Sequence, residues 1–259
     1  MNLLFDLRLA ENYKSNSQIA RVLTEDWVLR NSYCPSCGNR DLNNYNRNNP
    51  AADFYCQNCS SDFELKSFMA LPKLKIVDGA YNSMINKILS NTNPNFFFLQ
   101  YSSSYSVLNY LTIPKFFFTS EIIEKRKPLS HDARRANWIG CNILYGNLPQ
   151  TGIIYIVKDS KAINPKIVLQ QWQKTSFLIN QKLSNRGWAI ELIGLVDKIS
   201  SDTFTIKDVY KFEGYLKKKY PNNRFIKAKI RQQLQVLRDK GLIRFLGKGI
   251  YQKGRSNGN

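Results

Sequence analysis

The chain has 259 residues, enough for one large domain or two ordinary ones with a sizeable core. Its 15 Phe, 14 Tyr and 4 Trp exclude a chain that stays unfolded. The 38 Lys+Arg against 19 Asp+Glu leave a net charge of +19, which points to a polyanion as partner, either nucleic acid or an acidic membrane face.

No apolar run approaches the length of a membrane span. Asp6 and Arg8 interrupt the short apolar stretch at the N-terminus, which argues against a secretion signal. Five cysteines without such a signal imply a reducing, intracellular setting, where thiols hold metal rather than one another.

In chain order, Ser17–Arg30 places Ile19, Val22, Leu23, Trp27 and Val28 at helical intervals behind a Ser cap. Tyr33–Phe68 is polar, rich in Asn and Cys, and reads as knuckles and short strands. It contains Cys34-Pro-Ser-Cys37-Gly38 and Cys56-Gln-Asn-Cys59, with 18 residues between the pairs. Two thiolates three apart chelate one ion through a tight turn, and Gly38 can supply a positive φ there. Four thiolates close the tetrahedral shell of a structural Zn²⁺ and leave no position open for chemistry. A redox dithiol would need only one pair.

An acidic array is interleaved with these cysteines. Asp53 lies in a short stretch running into Cys56, and ten residues separate it from Glu64. Over Asp62–Lys66 a period of two puts Asp62, Glu64 and Lys66 on one face and Phe63 and Leu65 on the other. Carboxylates this close repel unless a divalent cation lies between them, and Mg²⁺ accepts one or two of them. With a lysine beside them to orient a water and offset charge on a phosphorane, the set suits phosphodiester hydrolysis. The same alternation also occurs on solvated sheet faces.

Further along, Lys75–Leu89 reads as a helix. Asn95–Tyr101, Val107–Ile113, Lys115–Thr119 and Gly152–Val157 read as buried strands of one sheet, and Pro165–Leu183 as another helix. Helices mixed with strands give an α/β core. In Ser130–Ile143, Ser130 can cap a short helix that gathers Arg134, Arg135 and Asn137 ahead of Trp138. Arg suits guanine edges and Asn adenine edges, and the tryptophan could meet a base methyl group. The competing arrangement has Trp138 in the core and the arginines on phosphates. Cys141 stands alone among apolar residues, as a small buried hydrophobe.

At Asn185-Arg186-Gly187 the pattern breaks, so the expected domains are 1–183 and 184–253, with 254–259 a flexible tail. Residues 184–259 carry 17 Lys+Arg against 6 Asp+Glu, while 1–183 carry 21 against 13. The basic excess is therefore concentrated in the shorter part. Trp188–Ser200 is an amphipathic helix, and Thr205-Ile-Lys-Asp208 a capping box opening a helix toward Lys219. Beyond Pro221, Asn222 caps a third helix that stops at Gly241. In it Ile226, Ile230, Leu234 and Leu237 form the core stripe, with Arg224, Lys227 and Arg231 opposite. Leu242–Leu246 and Ile250-Tyr251 make a hairpin tipped by Gly247-Lys248-Gly249. Three helices and a basic hairpin describe a winged helix-turn-helix, whose last helix enters the major groove while the wing meets backbone. A helical oligomerisation module would share the apolar stripe but not the basic one.

With Pro50, Asp53, Glu64 and Lys66 on its motif positions, the chain resembles the PD-(D/E)xK nuclease superfamily. One departure is that two residues separate Pro50 from Asp53, where the family name implies adjacency. The resemblance implies a restriction-endonuclease-like core in which Asp53, Glu64 and the backbone carbonyl of Leu65 ligate Mg²⁺, Lys66 is the catalytic lysine, and Glu25 of the first helix assists. A four-cysteine zinc knuckle set in such a core and followed by a winged helix is similar, over residues 1–253, to methyladenine-dependent type II restriction endonucleases. That likeness implies double-strand cleavage within GATC carrying N6-methyladenine, by a bacterial cytoplasmic defence enzyme acting on double-stranded DNA. A monomer in solution and no membrane partner are expected. The alternative class is a zinc-ribbon and winged-helix transcription regulator without catalysis, which leaves the Glu64–Lys66 face unexplained.

Overall fold

The computed structural model describes residues 1–45, 52–70 and 74–254, so Pro50 and most of the expected tail lie outside the described residues. The chain divides into two compact units. One is Met1–Leu148 with Ile153–Trp172, and the other Pro149–Gly152 with residues from 173 onward.

The first unit begins with helix α1 (Asn16–Asn31), followed by β1 (Leu42–Asn44), β2 (Phe54–Cys56), β3 (Asp62–Phe68) and β4 (Ile76–Ala80). Then come α2 (Tyr81–Leu89), β5 (Asn95–Tyr101), β6 (Val107–Ile113), β7 (Ile123–Lys125), β8 (Gly140–Ile143), β9 (Ile154–Lys158), β10 (Lys161–Ala162) and α3 (Pro165–Thr175). A seven-stranded sheet has the order β1-β2-β3-β5-β6-β9-β10, and a three-stranded one the order β4-β8-β7. In the large sheet β3 and β5 run parallel, while β2–β3 and β5–β6 are antiparallel. Strand β5 is buried at every position but Gln100, as a strand covered on both faces must be.

On one face of that sheet Leu23, Trp27 and Val28 of α1 and Val168 and Trp172 of α3 meet Phe54, Phe63, Phe97 and Tyr110. Phe63 stacks on Phe97 with centroids 4.4 Å apart, and Trp27 stands edge-on to Tyr110 at 5.3 Å. On the other face Phe96 packs against Phe118 at 4.7 Å.

Three expectations for this unit are corrected. Lys115–Thr119 is not a strand: Lys115–Phe117 form a 3₁₀ turn. Phe116, Phe117 and Phe118 are all buried, and a turn can put three consecutive rings inside where a strand would alternate them. The helix expected over Lys75–Leu89 covers only its second half, because Ile76–Ala80 pair with Gly140–Ile143 as a strand. The Ser130 helix is absent. Residues 126–139 instead continue the β7–β8 hairpin into a turn, held by Leu129 N–H to Trp138 O at 2.9 Å and Asn137 N–H to Leu129 O at 3.2 Å.

The second unit contains α4 (Leu183–Lys198), β11 (Thr203–Thr205), α5 (Ile206–Tyr210), α6 (Glu213–Lys219), α7 (Ile226–Asp239), β12 (Ile243–Gly247) and β13 (Ile250–Lys253). Its antiparallel sheet has the order β11-β13-β12. The capping box is present: the Thr205 hydroxyl accepts from Asp208 N–H, and the Asp208 carboxylate accepts from Thr205 N–H. At the wing tip Gly247, Lys248 and Gly249 all have positive φ, at +93°, +47° and +73°, a turn for which glycine is the favoured residue.

Here too local signals misled. The helix expected over Pro165–Leu183 ends at Thr175 and passes into a 3₁₀ stretch, Ser176–Asn180. Asn185-Arg186-Gly187 does not break the chain but lies inside α4. From Trp188 on the helix is amphipathic as expected, with Glu191, Gly194, Asp197 and Lys198 on the less buried side and Trp188, Ala189, Ile190, Leu192, Ile193, Leu195 and Val196 buried. Burial on this scale outweighs the roughly 1 kcal/mol that a helical glycine costs. The segment from Thr205 to Lys219 is two short helices rather than one. Helix α7 starts at Ile226, so Asn222 does not cap it, and the Asn223 side chain accepts the Phe225 N–H instead. Its stripe of Ile226, Ile230, Leu234 and Leu237 is buried as expected.

Candidate active site

The four thiols of Cys34, Cys37, Cys56 and Cys59 lie within 4.8 Å of one another, and none is in a disulfide. Each pair sits on a knuckle of the same construction. Gly38 N–H donates to Cys34 O at 2.7 Å, and Ser60 N–H to Cys56 O at 2.8 Å. Gly38 and Ser60 each occupy the left-handed region, at φ +82° and +54°. The role of Ser60 went unnoticed in the sequence, although its offset from Cys56 equals that of Gly38 from Cys34. The Cys34–Cys59 and Cys37–Cys56 Sγ separations are 3.5 and 3.6 Å. They are near the roughly 3.8 Å edge of a tetrahedron built on Zn–S bonds of about 2.3 Å, so the cluster could hold a zinc ion. Burial pushes the Cys34 thiol up. Cys37, despite some burial, is lowered to about 7 by hydrogen bonds from Asn58 and Asn39. A thiolate is accordingly accessible near neutral pH, as a metal ligand must be.

The second knuckle is also the turn of the β2–β3 hairpin, closed by Cys56 N–H to Ser61 O at 2.9 Å. Its register pairs Phe54 with Phe63 and Tyr55 with Asp62. Just before this ladder, Asp53 N–H donates to Phe63 O at 3.0 Å, which brings its charge near Glu64. The Asp53 carboxylate accepts the Leu65 N–H at 2.7 Å, taking the place of the next rung of the ladder.

Alternation in β3 buries Phe63 and packs Leu65 against the same core, which leaves Glu64 and Lys66 on the other face. Their register partners in β5 are Phe96 and Phe98, both buried. Asp62, on the same side of the strand by alternation, accepts a hydrogen bond from the Tyr45 hydroxyl at 2.7 Å. Lys66 Nζ stands 2.5 Å from Glu64 Oε1 and 2.6 Å from Asp78 Oδ1. Burial raises Glu64 above the ordinary carboxylate range, and the nearby Asp78 and Asp53 add to the rise against the pull of Lys66. For Lys66 burial works against the charge, yet Glu64 and Asp78 together raise it above its ordinary value. The ammonium is therefore held charged. Asp78 falls in the segment whose pattern predicts a helix over Lys75–Leu89, and no local pattern links it to Lys66.

Glu64 and Asp78 bracket one lysine, and the Asp53 charge is felt at Glu64. The Asp53 and Glu64 carboxylates offer hard oxygen donors of the kind a divalent cation such as Mg²⁺ accepts. Helix α1 lies alongside, with the Thr24 hydroxyl 3.4 Å from that of Ser67. Its Glu25 is engaged by Arg21 at 2.6 Å, and the Arg21 guanidinium also feels the charge of Asp53.

The residues expected at DNA fall in three places. Arg134, Arg135 and Asn137 are exposed in the turn between β7 and β8, with Trp138 half-buried behind them. Only glycine fits at 140, because a Cβ there would stand 2.8 Å from the Trp138 ring. In the second unit Lys227 and Arg231 are exposed on α7 beside Tyr210, whose hydroxyl accepts from Arg231 at 3.0 Å. Asn222 and Arg224 precede the helix rather than lying on its face, and Lys248 is exposed at the wing tip.

A mixed α/β unit with four clustered thiols, followed by a winged helix, defines a DNA-binding protein with an attached domain of another kind. A family model described as DpnI, the Dam-replacing family, matches residues 1–181, and one described as the Dam-replacing HTH domain matches residues 184–253. The chain belongs to the Dam-replacing, or DpnI, family. It is thereby a nuclease of the methyl-dependent restriction type, which sets aside the non-catalytic regulator. Among the described residues no helix is long and apolar enough to cross a membrane.

Proposed function

We propose that the protein makes double-strand breaks in DNA at GATC carrying N6-methyladenine, by Mg²⁺-dependent hydrolysis of the phosphodiester. The observation that carries the hydrolytic part is the meeting of Asp53, Glu64 and Lys66 at the β2–β3 hairpin of a chain in this family. The target follows the likeness to methyladenine-dependent endonucleases. Asp53, Glu64 and the Leu65 carbonyl would hold the cation, which when bound polarises the phosphate and makes an attacking water more acidic. Leu65 N–H fixes the Asp53 carboxylate, and the Lys66 ammonium orients the water and offsets charge developing on phosphorus. Phe96 and Phe98 lie buried beside Glu64 and Lys66, and partial burial strengthens these interactions relative to bulk water.

Residues 1–183 act as the nuclease domain in this reading and 184–253 as a DNA-reading domain, in a monomer working in a bacterial cytoplasm. Arg134, Arg135, Asn137 and Trp138 contact DNA from the first, and Asn222, Arg224, Lys227, Arg231 and Lys248 from the second. Incubation with Mg²⁺ and either adenine-methylated or unmethylated plasmid tests the core of this reading. Linearisation of the methylated plasmid alone is expected, with no cutting when Mg²⁺ is withheld. Binding without cutting of either plasmid would sink it.

The salt response tests the α7 assignment separately. Arg231→Ala is expected to weaken binding and to flatten the dependence of log K on log salt by about 0.9, the contribution of one phosphate contact. Unaltered affinity at both low and high salt would remove Arg231 from the interface.

A further inference from the structure

We propose that Asp78 is a positioning residue for Lys66, which keeps the ammonium in place when Glu64 turns to a metal ion. The inference rests on the nuclease reading of Asp53, Glu64 and Lys66 given above.

Lys66 has two carboxylate partners of different kinds. Glu64 shares its strand, two residues away, and is itself placed to ligate a cation. Asp78 arrives from β4, in the other sheet, and its side chain is only 5 % exposed against 26 % for Glu64. Its backbone is fixed by the β4–β8 ladder, in which Asp78 faces Cys141 and the register shifts between Asp78 and Ala80. A bulge of this kind re-aims a side chain, and here the side chain is aimed at Lys66 Nζ. Gly79, in the bulge, has nothing within 4 Å of where a Cβ would sit, so side-chain packing there does not set the geometry.

A carboxylate this deeply buried needs a cationic partner. Among the described residues Lys66 is the ion-pair partner of Asp78. The reverse dependence matters more for function. Lys66 is a point charge on a flexible stem, and a cation drawing the Glu64 oxygens would remove one of its two anchors. Asp78, buried on β4, remains as the second anchor. In this role it acts through the lysine.

Single-turnover cleavage of a methylated duplex by the full chain tests this. Asp78→Asn is expected to lower kcat by about 10²-fold, the scale of a misplaced reacting group. KM, zinc content and duplex affinity in Ca²⁺ should be unchanged, a split that a general loss of structure would not produce. Asp78→Glu, which retains the carboxylate, should keep more of kcat than Asp78→Asn. A measurement on the unmodified protein needs no variant to fold. In the ¹⁵N-lysine spectrum, with Lys66 assigned through Lys66→Arg, the Lys66 ammonium signal should stay protected from exchange when Ca²⁺ is added. Loss of that protection overturns the proposal, as does Asp78→Asn with full kcat or with a loss expressed in KM and zinc content. Lys66→Ala serves as the control. If it is inactive while Asp78→Asn cuts normally, only the role of Asp78 fails; if Lys66→Ala also cuts normally, the nuclease reading of the site fails.

Discussion

Lys66→Ala is expected to lower the cleavage rate by at least about 10²–10³-fold, the usual consequence of removing one preorganised group that faces developing charge, with DNA binding in Ca²⁺ intact. The ammonium sits 2.5 Å from Glu64 and 2.6 Å from Asp78, on the strand face away from the core. Its removal therefore opens no hole among the rings of Phe63, Phe97 and Trp172. It does leave Asp78 buried without its cation, so thermal stability should be measured with the rate. A folded protein that binds the duplex and does not cut places the loss in the chemical step. Cutting at the normal rate would take Lys66 out of the site, and with it the reading of Asp53 and Glu64 as its partners.

Removal of zinc should be at least as damaging, by another route. Cys34→Ser, or treatment with a strong chelator followed by restoration of Mg²⁺, is expected to abolish cleavage and release one equivalent of zinc. In zinc-finger peptides a four-ligand site contributes about 10–16 kcal/mol. Cys56 and Cys59 flank the turn that joins Asp53 to Glu64, and Cys34 and Cys37 tie that turn to the segment leaving α1. Without the ion, the placement of Asp53 beside β3 rests on the short β2–β3 ladder and its bonds to Phe63 and Leu65. DNA binding through the winged helix should persist, because that module lies in the other compact unit. Full cleavage after zinc has gone and Mg²⁺ has been returned would show that activity does not depend on the knuckles ordering the β2–β3 hairpin.

Several features of the site were legible without coordinates because each depends on neighbours in the chain. The cysteine quartet follows from two pairs at chelating distance, and the alternation of Asp62–Lys66 from the period of a strand. The Thr205–Asp208 box and the Gly247-Lys248-Gly249 tip follow from the backbone conformations those residues favour. Strands β5 and β6 were legible for a related reason, since short aromatic and β-branched runs have few other places to go.

The tertiary structure decided what depends on distant partners. Ile76–Ala80 became a strand because Gly140–Ile143 offered it a ladder, and only that pairing brings Asp78 to Lys66. Phe116–Phe118 became a turn because three adjacent rings all found cover. Asn185-Arg186-Gly187 stayed helical because the broad apolar side of α4 that follows is buried. Asp62 found a partner in the Tyr45 hydroxyl, seventeen residues away. By itself the sequence determined the residue types, their chelating intervals and the face each presents, since these follow from bond geometry within a few residues. Which carboxylate holds the lysine was settled by strand pairing across more than sixty residues, a balance of burial and hydrogen bonding that no short window contains.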